Sequence, residues 1–399
     1  MKERFFNSWK DWNPYLETAL ITFLFVRFIS SFAIMILVIF RPNYVQPMDV
    51  NTINSFPNIQ SENIFMELFL TPWLRWDTVH YIGIAEFGYG GQELFSVWPP
   101  LYPFLIKAFS TIFQPLILAA IIVSNLFFIT ATTLFLKLVS EIFDENIAKK
   151  GIYCMFLFPT SFFLIAPYTE SLFLTLSIAV VYLSRKKEWL FAGLLSALAA
   201  LTRVQGVLLV LPIFIEGMQV YFSKRDKKQL LQFLPATLFA PFAYGLFSLY
   251  VHFGLLNDWP WVALRSHWGQ YFAWPWEGFV GTITALFGRK IDYNVTLDFV
   301  KILNVISVIV SIFFLVKISK KLPLSIIVFG WASFLIVISK VDNQNIMIST
   351  LRYLLVIFPI FISQALAINR KWQKYVLLLL GLSLNIALLI LSTWGLWVA

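Results

Sequence analysis

Three histidines and a single cysteine in 399 residues leave this chain almost without the side chains that build metal and redox centres. One cysteine, Cys154, excludes an intramolecular disulfide and a thiolate cluster. His80, His252 and His267 are too few and too dispersed in the sequence for an all-protein zinc site. No Asp-x-Asp occurs anywhere, so the sequence assigns no metal ligands and leaves dependence on a divalent cation open. A P-loop and a Gly-rich dinucleotide fingerprint are also absent, so no soluble nucleotide cofactor is indicated. Charge is scarce too: only 13% of residues are Asp, Glu, Lys or Arg. There is no low-complexity linker, no internal repeat and no stretch that reads as a soluble domain.

What fills the chain is apolar. Hydrophobic residues make up 59% of it, with a mean hydropathy of +0.77. Apolar runs of membrane-spanning length recur from end to end, which identifies an all-α, polytopic integral membrane protein rather than an alternating β-barrel. The first run, Ala19–Phe40, is too long for a signal-peptide core and reads as a retained first helix. The pattern predicts roughly eleven crossings, at about 16–40, 115–137, 151–166, 168–184, 189–202, 205–221, 229–253, 300–318, 322–338, 347–368 and 375–397. Nineteen of the 30 Lys and Arg fall in six clusters, such as Arg185-Lys186-Lys187, that this topology puts on one side. The positive-inside rule makes that side cytoplasmic, so the net charge of +9 sets orientation and does not suggest nucleic acid. Val97–Phe113, interrupted by Pro99, Pro100 and Pro103, is expected to lie at the outer interface, because a crossing there would invert every later cluster. One membrane-embedded domain, 1–399, then carries two long extracytoplasmic loops, at about 41–114 and 254–299.

Every polar cluster outside the basic ones falls on that outer side. The longest begins Arg75-Trp76-Asp77-Thr78-Val79-His80-Tyr81 and continues through Ile84-Ala85-Glu86 and Gly88-Tyr89 to Trp98-Pro99-Pro100-Leu101-Tyr102-Pro103. On a helix, Asp77, His80 and Tyr81 share one face, whereas Glu86 points away from it. Asp77 fits a general base for an acceptor hydroxyl and fits equally a helix-start or ion-paired aspartate. His80 fits an acceptor contact or a headgroup-level side chain, and Glu86 a second carboxylate or a structural pair. Tyr168-Thr169-Glu170 follows Pro167, where Glu170 can also serve as a first-turn anion. Arg203 stands at the apex of a helix pair and Arg352 near the outer end of its helix. Both suit bidentate phosphate contact, and both can instead pair with Asp77 or Glu170. The second loop has five tryptophans in 18 residues, Trp259 to Trp276, with His267 and Trp268 among them. Such a loop serves as an interfacial belt or as a carbohydrate-stacking surface.

These motifs resemble the PIG-V type GPI mannosyltransferases and their prokaryotic relatives, within the GT-C class of polytopic glycosyltransferases. The resemblance is carried by Trp76-Asp77, His80-Tyr81, Ile84-Ala85-Glu86, Gly88-Tyr89 and Trp98-Pro99 through Pro103. Tyr168-Thr169-Glu170, Arg203 to Gly206, and Arg352-Tyr353 before Pro359 follow in the same order.

The resemblance implies a GT-C-like helical bundle with interfacial helices in the first outer loop. It implies an inverting hexosyl transfer from a polyprenyl-phosphate-linked donor to an acceptor hydroxyl of a glycolipid, glycan or protein. Asp77 is the expected base, with His80 and Glu86 as further catalytic candidates, and Arg203 and Arg352 as donor-phosphate contacts. Acceptor or sugar contacts are expected from Arg75, Trp76, Tyr168, Glu170, His267 and Trp268. The site faces outward in the cell membrane for a prokaryotic source, or the lumen of the endoplasmic reticulum for a eukaryotic one. The competing class is a non-enzymatic lipid-linked-sugar transporter or flippase, which would place its ionisable residues near the bilayer midplane.

Overall fold

The computed structural model describes residues 2–40, 64–91, 93–225, 227–256, 258–288, 295–318 and 321–398. Residues 41–63 and 289–294, within the two long loops expected from sequence, lie outside them. The chain forms α1 (Lys2–Phe40), α2 (Ile64–Phe69), α3 (Asp77–Phe87) and α4 (Leu101–Ser110), followed by α5 (Leu116–Ile142), α6 (Glu145–Phe156), α7 (Glu170–Arg185) and α8 (Trp189–Ala200). Next come α9 (Val210–Lys224), α10 (Lys227–Thr237), α11 (Phe239–Val251), α12 (Pro260–Trp268) and α13 (Pro275–Phe287). The last helices are α14 (Val295–Ile318), α15 (Leu324–Ser339), α16 (Thr350–Leu354), α17 (Phe358–Ala367) and α18 (Lys371–Thr393). Two strands, β1 (Gln270–Phe272) and β2 (Lys340–Asp342), pair antiparallel with Tyr271 opposite Val341.

Six of the described segments are long and apolar enough to cross a membrane: Trp12–Phe40, Leu116–Ile142, Val204–Ser223, Lys227–Leu255, Asp298–Lys317 and Lys371–Thr393. This is a multi-pass helical membrane protein. The expected count of eleven is not reproduced at that standard, because the other expected segments fall on shorter or broken helices. The stretch 151–166 ends as α-helix at Phe156, before Pro159, and resumes as a 3-10 turn over Ser161–Leu164. The stretch 347–368 is divided between α16 and α17, with Pro359 in the first turn of α17. The ten-residue α4 is too short to cross a bilayer by itself. One short β-ribbon accompanies the all-α bundle. The β1–β2 ribbon ties the segment after α12 to the end of α15, where the backbone turns extended at Lys340.

Burial follows from sequence. Helix α7 is apolar on nearly every side, as a central helix must be, and 13 of its 16 residues are buried. It packs between α5 and α8, and its Phe173 is fully buried. The peripheral helices instead turn large apolar side chains outward, among them Phe25 and Phe28 on α1 and Ile309 and Phe313 on α14. Those surfaces belong against acyl chains.

The two ends of α7 differ chemically and lie about 24 Å apart by helical rise. At its C-terminal end, Lys186 pairs with Glu141 of α5 at 2.8 Å and Lys137 sits over the Trp12 ring at 5.6 Å. Near that end, Lys149, Lys150, Lys371 and Lys374 line one surface depression. At its N-terminal end lies Glu170.

Candidate active site

Glu170 opens α7 almost completely buried, at 1% exposure, and binds two arginines at once. Its Oε1 accepts from Arg203 Nη1 at 2.7 Å and lies 3.3 Å from Arg352 Nε. Arg352 Nη1 also pairs with Asp77 Oδ2 at 2.8 Å. Four residues from sequence positions 77 to 352 thus form one chain of alternating charge: Asp77, Arg352, Glu170, Arg203. Burying a charge is expensive unless it is paired, and each of these four has its partner.

Local structure explains how they meet. Arg203 follows α8 directly and precedes the 3-10 turn Val204–Leu209, at the tip of a tight hairpin. A Cβ on Gly206 would approach the backbone of Ala199 and Ala200 to 2.3 Å, so only glycine allows this closeness. Arg203 Nε donates to Gln205 Oε1 at 3.2 Å, and Nη1 also reaches Thr169 Oγ1 at 3.3 Å. Its Nη2 makes no hydrogen bond to any described residue. Asp77 is the first residue of α3, where a helix dipole favours an anion. Trp76 before it is held at φ 50° and ψ −125°, a strained conformation for a non-glycine residue. Thr78 Oγ1 donates to Pro167 O at 3.2 Å, and Tyr168 Oη donates to Arg75 O at 3.1 Å. These bonds tie the start of α3 to the turn that leads into α7.

Asp77 and Arg203 both line a cavity of about 160 Å³, together with Arg352, Tyr353, Lys340 and Trp268. Burial alone would raise the Asp77 carboxyl pKa. The Arg352 guanidinium, with His80 and Lys340, outweighs it and holds the group below its ordinary value. Asp77 is therefore an anion at neutral pH.

The remaining sequence candidates divide. His80 stands behind the cavity wall, stacked on Trp98 at 4.4 Å and edge-on to Trp268 at 5.1 Å, and both tryptophans line the cavity. Burial, opposed by Asp77, lowers its pKa to about 4, so it is neutral. Trp76 packs edge-on against Trp397, which lines the cavity, at 4.9 Å. The Arg352 guanidinium lies over the Tyr168 ring, 5.3 Å from its centre. Arg75 turns away: its guanidinium is held by the carbonyls of Thr393 at 3.1 Å and Leu74 at 2.9 Å. Glu86 lies near the far end of an unbroken α3 and does not line the cavity. His267 is exposed and also does not line it, whereas its neighbour Trp268 does.

Sequence reasoning did not single out Lys340. Its Nζ donates to Tyr353 Oη at 2.8 Å, and Arg352 Nη2 donates to the same oxygen at 3.2 Å. The available signal was a lone lysine at the end of an apolar helix that the expected topology puts outside, where cations are disfavoured.

A second depression, open and almost wholly apolar, abuts this cavity. Pro99, Thr202 and Tyr244 line the cavity, and Pro100, Leu201, Ala243 and Phe247 line the apolar groove between α8 and α11.

Fold and site together define a multi-pass membrane protein with a polar, charge-paired cavity at the end opposite its basic cluster. The profile of the family described as Mannosyltransferase (PIG-V) matches residues 18–258, more than half of the chain, and the chain belongs to that family. GPI mannosyltransferase 2 of Cryptococcus neoformans var. neoformans serotype D (strain JEC21 / ATCC MYA-565) is 30% identical over 192 residues, covering 43% of this chain and 45% of the relative. GPI mannosyltransferase 2 of Schizosaccharomyces pombe (strain 972 / ATCC 24843) is 28% identical over 156 residues, 37% of this chain and 32% of the relative. The chain thus spans less than half the length of the curated relatives it matches. No solved structure matches it.

Proposed function

We propose that the protein is a GT-C-like glycosyltransferase that moves a hexose from a polyprenyl-phosphate-linked donor to an acceptor hydroxyl on the extracytoplasmic face. The observation that carries this reading is the cavity shared by an ionised carboxylate, Asp77, and the guanidinium groups of Arg203 and Arg352. Mannose is the sugar to which the names of the relatives point.

The chemistry runs as a single displacement. The acceptor oxygen forms a bond to the anomeric carbon as the bond from that carbon to the phosphate oxygen breaks. The bonding pair leaves with the phosphate, and the anomeric configuration inverts. The acceptor proton passes to Asp77. A carboxylate of low pKa is a weak base towards a resting alcohol. It becomes competent late in an oxocarbenium-like transition state, when the attacking oxygen has turned acidic. Arg203 and Arg352 offset the charge gathering on the departing phosphate. Each guanidinium has five donors, so it can keep its carboxylate and still offer N–H groups to a ligand. The apolar groove beside the cavity suits the first isoprene units of the donor, and it faces the side of the bundle.

The charged cluster sits at one end of α7, not midway along it, which favours an enzyme over a flippase. The test is sugar transfer in reconstituted membranes with a panel of radiolabelled polyprenyl-phosphate sugars. Asp77→Asn is expected to lower kcat by about 10²- to 10⁴-fold while the folded variant still binds donor. Undiminished transfer would exclude Asp77 as the base.

A further inference from the structure

The charges around the cavity do not cancel. Arg352 is matched by Asp77 at 2.8 Å, and Arg203 by Glu170 at 2.7 Å. His80, with its pKa lowered to about 4, adds no charge at neutral pH. Lys340 remains. Among the described residues no carboxylate lies within ion-pair distance of its Nζ, whose hydrogen-bond partner is the phenol of Tyr353 at 2.8 Å. Burial would raise that phenol's pKa, but Lys340 and the two arginines outweigh it and lower the pKa to about 8, so the phenol is still mainly neutral at pH 7. Two guanidiniums already neutralised by carboxylates attract an anion through hydrogen-bond geometry, with little net charge. Lys340 supplies the uncompensated positive charge.

The surroundings of Lys340 point the same way. It lines the cavity together with Tyr353, Arg203 and Arg352. The Tyr353 ring is enclosed by cations: Arg203 lies 4.7 Å, Lys340 4.8 Å and Arg352 5.0 Å from its centre. The phenol oxygen accepts from Lys340 and from Arg352, which leaves its own proton to donate. The backbone of Lys340 is fixed by β2, where it pairs with Phe272 of β1, a residue that also lines the cavity.

We propose that Lys340, with the Tyr353 hydroxyl beside it, is a principal contact for the phosphate of a polyprenyl-phosphate donor, and that Arg203 and Arg352 orient what Lys340 attracts. This rests on the reading of the cavity as a lipid-phosphate site. An ammonium is a compact charge on a flexible stem. It can follow the phosphate as the bond to sugar breaks, whereas the two arginines are tethered to their carboxylates.

The experiment measures binding of polyprenyl phosphate and of the uncharged polyprenol to the full chain in lipid nanodiscs, for wild type, Lys340→Gln and Lys340→Arg. Wild type is expected to prefer the phosphate. Lys340→Gln is expected to lose about ten- to a hundred-fold of that preference, the size of one charged hydrogen bond, and Lys340→Arg to keep most of it. Equal binding of phosphate and alcohol by wild type would overturn the lipid-phosphate reading itself. Discrimination by wild type that is undiminished in Lys340→Gln would overturn only the role of Lys340. A second measurement needs no variant: polyprenyl phosphate, and not polyprenol, should protect Lys340 of the wild-type chain from acylation by an amine-reactive reagent, read peptide by peptide. Acylation at an unchanged rate under saturating polyprenyl phosphate would overturn the assignment even if Lys340→Gln does not fold.

Discussion

Glu170 holds two arginines that are 149 positions apart in sequence, and it does so with a single oxygen. Removing one member of such a buried pair strands the others. Glu170→Ala is expected to destabilise the protein by about 3–5 kcal/mol, read as a lowered unfolding midpoint in detergent. Combining it with Arg203→Ala should cost clearly less than the two separate losses added together, since both act in one network. His80 gives a pH effect of definite sign. Its pKa is lowered from 6.5 to about 4, so the unfolded chain binds one more proton between those values. Stability therefore rises with pH across that window and is lost on acidification from about 6.5 to about 4. His80→Phe, which retains a ring against Trp98, should flatten that limb in a series of unfolding midpoints. Asp77, Glu170, Arg203 and Arg352 were legible in the sequence because ionisable groups are rare in such apolar surroundings. Lys340 was not, because a single lysine at a helix end looks like one of the scattered cations. Arg75 and Glu86 lie within the densest motif yet point elsewhere: Arg75 precedes α3 and is held by the carbonyls of Thr393 and Leu74, and Glu86, nine residues after Asp77, falls on another face of the helix.

The α8 hairpin shows how an element can be built for one residue. Gly206 lets the chain return against Ala199 and Ala200, and this places Arg203 at the tip. Gly206→Ala would press a methyl group into backbone, which side chains cannot relieve by changing rotamer. We expect a stability loss of about 1–3 kcal/mol, together with weaker binding of polyprenyl phosphate, measured in the same nanodiscs. The long apolar helices were readable from their length alone. The breaks near Pro159 and Pro359 were less so, because hydropathy continues across them while the backbone does not. The β1–β2 ribbon gave no signal: three-residue strands are too short to alternate, and their partners lie about seventy residues apart.

Across the whole molecule, polarity runs from basic to charge-paired over the length of α7. This arrangement makes orientation testable by labelling, since Cys154, the chain's sole native cysteine, is buried and gives little background. His267→Cys should react with a membrane-impermeant maleimide from the extracytoplasmic side, and Lys149→Cys only from the cytoplasmic side. The reverse pattern would invert the topology. The groove between α8 and α11 has a consequence of another kind. A donor that arrives through it comes sideways from the bilayer and never crosses bulk water. Its effective concentration is then a mole fraction in the leaflet, so diluting a fixed amount of donor with inert phospholipid should slow transfer while its molarity in the sample stays constant.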